Sequence, residues 1–311
     1  MRAAALAVGA CVLALAAVGT SLASFLGLLT LAGLANAMAQ TAINLFMAEE
    51  VPLDRQGLGF GVKQSAIPAA IMVSGLALPL LALPLGWRPT AAICGLGAVG
   101  VGLVAGRGGR ARRTEAGVPR TLGPRLSRPL VLLAVGAALA SFGPNTLGAY
   151  LVVSAVENGL SEATAGLVLA LGSAASLVMR IALGERADRR ADYGFRTVVA
   201  LLASGSLGFA LLSADAAGPF LAGALLAFTL GWGWPGLFNL AVVDRHRGAP
   251  ASATGITQSG IYVGAAAGPT LFGVLAAEVG YSSSWLALSG VALLAAGAIA
   301  VASASAGRVH A

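Results

Sequence analysis

Residues 106–128 read GRGGRARRTEAGVPRTLGPRLSR, seven arginines and one glutamate between two blocks of almost pure hydrocarbon. A basic run of this kind in a soluble protein would suggest nucleic acid. Between long apolar blocks it reads instead as a loop held on the cytoplasmic side of a membrane, where positively charged loops stay. The expected partner is therefore the lipid bilayer, and no nucleic acid is expected.

The rest of the composition agrees. Of 311 residues, 58% are hydrophobic and 10% are charged, whereas a soluble domain carries about 25% charged residues. The net charge of +7 is concentrated in short loops, and Lys63 is the only lysine. Cys11 and Cys94 lie inside apolar stretches, with neither metal spacing nor a disulfide context, and read as core thiols. The N-terminal apolar stretch is longer than the roughly 7–15 residues of a signal peptide's hydrophobic region.

A membrane helix needs about 20 apolar residues. Residues 3–48 carry no charge, too long a stretch for one crossing, and Gly19-Thr20-Ser21 is the natural break. Spans are expected at 3–18, 23–47, 56–84, 89–106, 129–155, 162–183, 196–213, 218–242, 253–277 and 285–305, ten in all. In that arrangement Arg2, Arg55, the basic run, Arg186, Arg189, Arg190, Arg196, Arg245, Arg247 and Arg308 share one side, and only Arg88 falls opposite. The asymmetry predicts a multi-pass protein of the cell membrane with both termini cytoplasmic.

An internal repeat adds the next constraint. Gly61-Val62-Lys63-Gln64-Ser65-Ala66-Ile67 matches Gly255-Ile256-Thr257-Gln258-Ser259-Gly260-Ile261 at an offset of 194 residues. Each copy is followed, 25 residues after its first glycine, by a turn: Gly86-Trp87 and Gly280-Tyr281. Asn44-Leu45 and Asn239-Leu240 close the preceding spans. Repeats inside membrane proteins of this size mark transporters. An offset of 194 is a six-helix half; the five-helix repeat of the similarly sized drug/metabolite transporter superfamily would give about 150.

With Gly184-Glu185-Arg186-Ala187-Asp188-Arg189 after the sixth span and Gly86-Trp87-Arg88 after the third, the chain resembles the major facilitator superfamily entered at its third helix. The resemblance covers essentially the whole chain. It implies an all-α polytopic membrane protein with two pseudo-symmetric bundles. Residues 1–106 would supply four helices and 129–311 six, joined by the cytoplasmic linker 107–128. It implies a secondary active transporter of a small solute working by alternating access, with a coupling proton or ion as an open partner, no cofactor and no enzymatic activity. The alternative is a truncated, non-transporting remnant or scaffold; a misplaced start codon is the simplest account of the two absent helices. Two features depart from proton-driven members. Leu29-Thr30-Leu31-Ala32-Gly33 lacks the arginine expected there, and the 56–84 span lacks a GxxxGPxxGG motif, of which Gly264 to Pro269 with Gly273 is a looser version.

The expected cavity lies between the bundles near mid-membrane, lined by Asn44, Gln64, Asn145, Tyr150, Trp232 and Gln258. Lys63 is either an anion-binding residue facing it or a lysine whose stem snorkels to the headgroups. Burying a cation is costly, so an anionic solute at Lys63 would balance its charge and favours a small organic anion. The amides equally suit helix-to-helix hydrogen bonds, and Trp232 and Trp234 either stack on a solute or simply pack. Arg180, one turn before Gly184, reads first as a headgroup contact and second as a substrate or gate residue. The resemblance makes Gly184, Asp188 and Arg189 the gating set. It places Asp188 against the positive N-terminus of the 56–84 span, near Gly57 and Gly59, where it would stabilise the outward-facing state. No zinc spacing, phosphate loop or nucleophile–histidine–acid set is visible.

Overall fold

The computed structural model describes residues 2–105, 127–189 and 193–305, apart from the side chains of 37–42, 44–50, 53, 105 and 251. All but the last two residues of the expected 107–128 linker lie outside this description, as do Arg190 and Arg308. The described residues are helical, with no strand among them. The helices are α1 (Arg2–Val18), α2 (Leu22–Glu50), α3 (Gln56–Ala77), α4 (Trp87–Ala105), α5 (Arg128–Glu157), α6 (Glu162–Arg189), α7 (Phe195–Leu211), α8 (Ala217–Leu226), α9 (Pro235–Arg245) and α10 (Pro250–Ser305).

Local chemistry sets the breaks. After α1 the chain turns at Gly19-Thr20-Ser21, and Ser21 begins α2 with a reciprocal cap: its hydroxyl accepts from Ser24 N at 3.2 Å while Ser21 N donates to Ser24 Oγ at 3.1 Å. The repeated turns share one backbone conformation, with φ 87° and ψ 166° at Gly86 and φ 79° and ψ 169° at Gly280. Positive φ of this size suits glycine and strains other residues. Gly280 divides α10. Wider π-helical turns, Leu78–Ala82 and Ala227–Gly231, follow α3 and α8.

Among the described residues, six helical stretches are long and apolar enough to cross a membrane: Gln56–Leu85, Trp87–Val104, Arg128–Glu157, Glu162–Arg189, Ala217–Arg245 and Ser252–Ser305. Arg2–Val18 and Phe195–Leu211 are shorter apolar helices, and the described part of α2, Leu22–Asn36, is apolar as well. Leu22, Leu29, Leu80, Val101, Leu171, Val178 and Leu294 are exposed. An apolar surface spread over so many helices suits lipid and not water.

The chain groups into two compact units, Met1–Val51 with Ala77–Pro119, and Pro52–Leu76 with Arg120–Ala311. In the first, α1 packs on α4 through glycines: a Cβ at Gly9 would lie 2.9 Å from the Gly95 carbonyl oxygen, and one at Gly102 2.9 Å from the Leu6 side chain. Arg88, the one arginine expected on the opposite side, donates to the Gly19 carbonyl at 3.0 Å and lies near those of Ala16 and Ala17. A cation at a helix C-terminus complements the helix dipole.

The second unit has two buried clusters. Leu130, Val198, Leu202, Trp234, Phe238 and Ile299 belong to one; Leu147, Phe209, Phe220, Phe228 and Trp285 belong to the other. The start of α10 lies against α5 through glycines four residues apart, Gly260, Gly264 and Gly268, facing Ala134, Ala138 and Phe142. Small residues let helix backbones approach closely where lipid supplies no hydrophobic drive. Gly268→Leu should therefore lower stability by about 1–3 kcal/mol through overpacking. Gly297→Leu, at a site with open space around the added carbon, should leave it nearly unchanged. Thermal unfolding of the purified protein in detergent measures both.

Candidate functional site

Inside the second unit α3 runs antiparallel to α6 with their backbones in contact over most of their length. A Cβ at Gly57 would lie 2.6 Å from the Gly184 carbonyl oxygen, one at Gly61 2.7 Å from that of Arg180, and one at Gly75 2.7 Å from that of Gly166. Ser65 continues the row: its hydroxyl donates to its own helix at Gly61 O, 2.7 Å, with a longer contact to Leu177 O at 3.4 Å. The sequence permits this because Gly57, Gly61 and Ser65 recur every four residues on one face of α3. A Cβ at Gly236 of α9 would lie 3.4 Å from the Gly61 Cα.

Polar groups hold the seam at two levels. At one end the Asp188 carboxylate accepts from both first free amides of α3, Gly57 N at 2.7 Å and Leu58 N at 2.8 Å. These are the N–H groups a helix start leaves unpaired, and negative charge there is favoured by the helix dipole. Two turns deeper, Arg180 is buried at 1% exposure. Its Nε donates to the Trp232 carbonyl at 3.0 Å, its Nη1 to the Gln64 carbonyl, and the guanidinium lies 5.0 Å above the Trp232 ring.

The headgroup contact expected for Arg180 is therefore corrected. Its donors go to backbone carbonyls of two other segments, a choice that position within a span does not reveal. The Trp232 carbonyl is available because the helix breaks after Gly231, with Trp232 at φ −119° and ψ 4°, and restarts at Pro235. Proline lacks an N–H, so the preceding turn cannot continue normally into α9. The signal that would have found this partner is the Trp232-Gly233-Trp234-Pro235 stretch itself, a helix interruption within one turn of the depth of Arg180.

The remaining expected residues are distributed as follows. Gln64 is buried, and its backbone carbonyl is the atom used. Lys63, its neighbour on α3, is half-buried. Asn145 Nδ2 donates to Ser141 O on its own helix at 2.8 Å, beside the helix-interior Pro144. Tyr150 packs 5.1 Å from the Phe272 ring and 6.2 Å from that of Tyr281. Trp232 is buried under Arg180, and Gln258 is hydrogen-bonded to Tyr262 one turn later. Gly184 lies in the seam, and exposed Arg189 pairs with Glu185 at 2.6 Å on its own helix. Asn44 falls on α2, and its side chain lies outside the described residues. Gln64, Arg180 and Trp232 are thus brought together, and Asp188 meets the start of α3. Tyr150 joins an aromatic cluster with Phe272, Tyr281 and Trp285.

A family model described as Major Facilitator Superfamily matches residues 1–259. No curated protein matches the chain. The chain belongs to the major facilitator superfamily and is a multi-pass membrane transporter of a solute.

Removing the Asp188 carboxylate would leave two amides of α3 without their acceptor. Asp188→Ala should lower stability by about 1–3 kcal/mol, the cost of orphaning buried donors. Asp188→Asn keeps one accepting oxygen and should lose less. Unfolding midpoints in detergent rank the two, and equal losses would show that the one oxygen asparagine retains contributes nothing.

Proposed function

We propose, from this membership, that the chain is a secondary active transporter that moves a small organic anion by alternating access across ten membrane spans. The observation that carries the proposal is the α3–α6 seam, whose polar fastenings are few and local. Asp188 holds one end through two hydrogen bonds, and Arg180 holds the middle through the Gln64 carbonyl. A contact made of close glycine backbones and a few hydrogen bonds can part without exposing a large side-chain core. Gly184, Asp188 and Arg189 are the gating group in this account, with Asp188 favouring the state in which the seam is closed.

The count of ten is supported by length. At 1.5 Å per residue the 56 residues of α10 would extend about 84 Å, nearly three times a bilayer's hydrocarbon core of about 30 Å. Gly280 divides that helix into two lengths suited to one crossing each. The apolar helices α1, α2 and α7 would supply further crossings, and the arginine distribution supports cytoplasmic termini. The division into a 1–106 bundle and a 129–311 bundle joined by 107–128 belongs to the same proposal.

Lys63, Gln64, Asn145, Tyr150, Trp232 and Gln258, with Asn44, are the proposed solute contacts. Lys63 is the cation among them, and a solute carboxylate would be drawn to it. The test is uptake of a panel of anionic, neutral and cationic solutes into proteoliposomes by wild type and Lys63→Gln. The expected result is uptake confined to anions, with KM raised about tenfold in the variant, equivalent to about 1.4 kcal/mol. Uptake of an anion with unchanged KM would remove Lys63 from the site, and uptake of neutral solutes alone would refute the anion assignment.

A further inference from the structure

Arg180 is a cation buried at 1% exposure whose hydrogen-bond partners are neutral backbone carbonyls. Its third nitrogen, Nη2, is buried and has no hydrogen-bond partner. The ion pairs among the described residues are Arg189–Glu185 and Arg247–Asp244, and neither involves Arg180. A charge inside a membrane protein costs about 2.5–3.5 kcal/mol on insertion scales and is ordinarily paired. An orphaned guanidinium N–H adds the desolvation cost of an unmade bond.

The neighbouring hydroxyls repeat the pattern. Several buried hydroxyls donate back to their own helix: Ser65 to Gly61 O, Ser141 to Ala137 O, Thr257 to Ala253 O, and Ser284 to Gly280 O. Thr146 of α5 and Ser173 and Ser176 of α6 do not, and their buried hydroxyl oxygens are without a partner. Ser173, Ser176 and Arg180 follow one another at three- and four-residue spacing, so they share one face of α6. Unused donor capacity is thus lined up along a single helix face and ends at a positive charge.

We infer that this face is an anion site, with Arg180 anchoring the carboxylate of the solute and Ser176, one turn away on the same face, as a hydroxyl donor. The inference rests on the transport proposal and deepens it by naming the anchor. The guanidinium plane is set by the Trp232 ring and by the Nε bond to the Trp232 carbonyl. That leaves the Nη1–Nη2 edge, the fork that matches the two oxygens of a carboxylate.

The same geometry couples binding to movement. Arg180 is buried at 1% exposure and its Nη1 gives one of its two N–H groups to the Gln64 carbonyl, so a solute reaches the fork only when the packing around it loosens. A carboxylate therefore favours conformations in which the seam is looser at Gln64, because the fork is reachable only there.

The test uses the full chain in detergent. The rise in unfolding midpoint is followed against concentration of acetate, lactate and benzoate, with acetamide, lactamide and benzamide as neutral isosteres and chloride to hold ionic strength. A ligand that binds the folded state raises stability with its concentration. At least one carboxylate should give a saturable rise that its amide does not. Arg180→Lys, which keeps the charge and loses the fork, should weaken that response about tenfold, and Ser176→Ala should weaken it several-fold. Should Arg180→Lys fail to fold, Ser176→Ala and the carboxylate–amide comparison still decide. No carboxylate response in wild type, equal responses to acids and amides, or unchanged affinity in the variants would overturn the inference. The proteoliposome panel separates the two proposals. Uptake that no carboxylate inhibits keeps transport and removes the anchor, whereas Arg180-dependent binding without uptake of any solute keeps the anchor and removes transport.

Discussion

Close backbone contact between α3 and α6 is the constraint on which the candidate site depends. It needs glycine at Gly57, Gly61 and Gly184, where an added carbon would meet the opposing helix at 2.5–2.7 Å. In lipid there is no hydrophobic drive between helices, so packing and hydrogen bonds must supply the attraction. The glycines bring the helices close enough for a carboxylate on one to reach the amides of the other. The same approach brings the Gln64 backbone carbonyl to Arg180. Larger residues in the seam would separate the very groups that fasten it.

The interruption between α8 and α9 serves the same end by a different route. A helix normally spends its carbonyls on its own amides, and the π-helical turn at Ala227–Gly231 followed by Pro235 stops that pattern inside the apolar interior. Irregular backbone at such depth is tolerated where protein groups satisfy it. Arg180 does so at Trp232, and the Trp232 ring in turn orients the guanidinium. A broken helix, a buried cation and a glycine seam therefore form one arrangement.

Much of this was legible in the sequence. Gly19-Thr20-Ser21 marked a helix break because serine caps helix starts, and Gly86 and Gly280 marked equivalent turns because each stood 25 residues after a repeated glycine. The pairing of Asp188 with the start of the 56–84 span followed from the resemblance and from helix-dipole electrostatics. Arg180 was misread because hydropathy gives a residue's depth and not the face it occupies, and bonds to backbone carbonyls leave no pattern in residue identity. The orphaned hydroxyls of Ser173 and Ser176 were equally hidden, since a serine that bonds its own helix and one that does not look alike in sequence.

The central claim is that the seam opens and closes. With Cys11 and Cys94 replaced by serine, spin labels at Arg55 and Glu185, both exposed at the Asp188 end of the seam, report its width by pulsed electron resonance in liposomes. Two distance populations are predicted, with the longer one enriched by Asp188→Asn. A single distance that the substitution leaves unchanged would contradict the account.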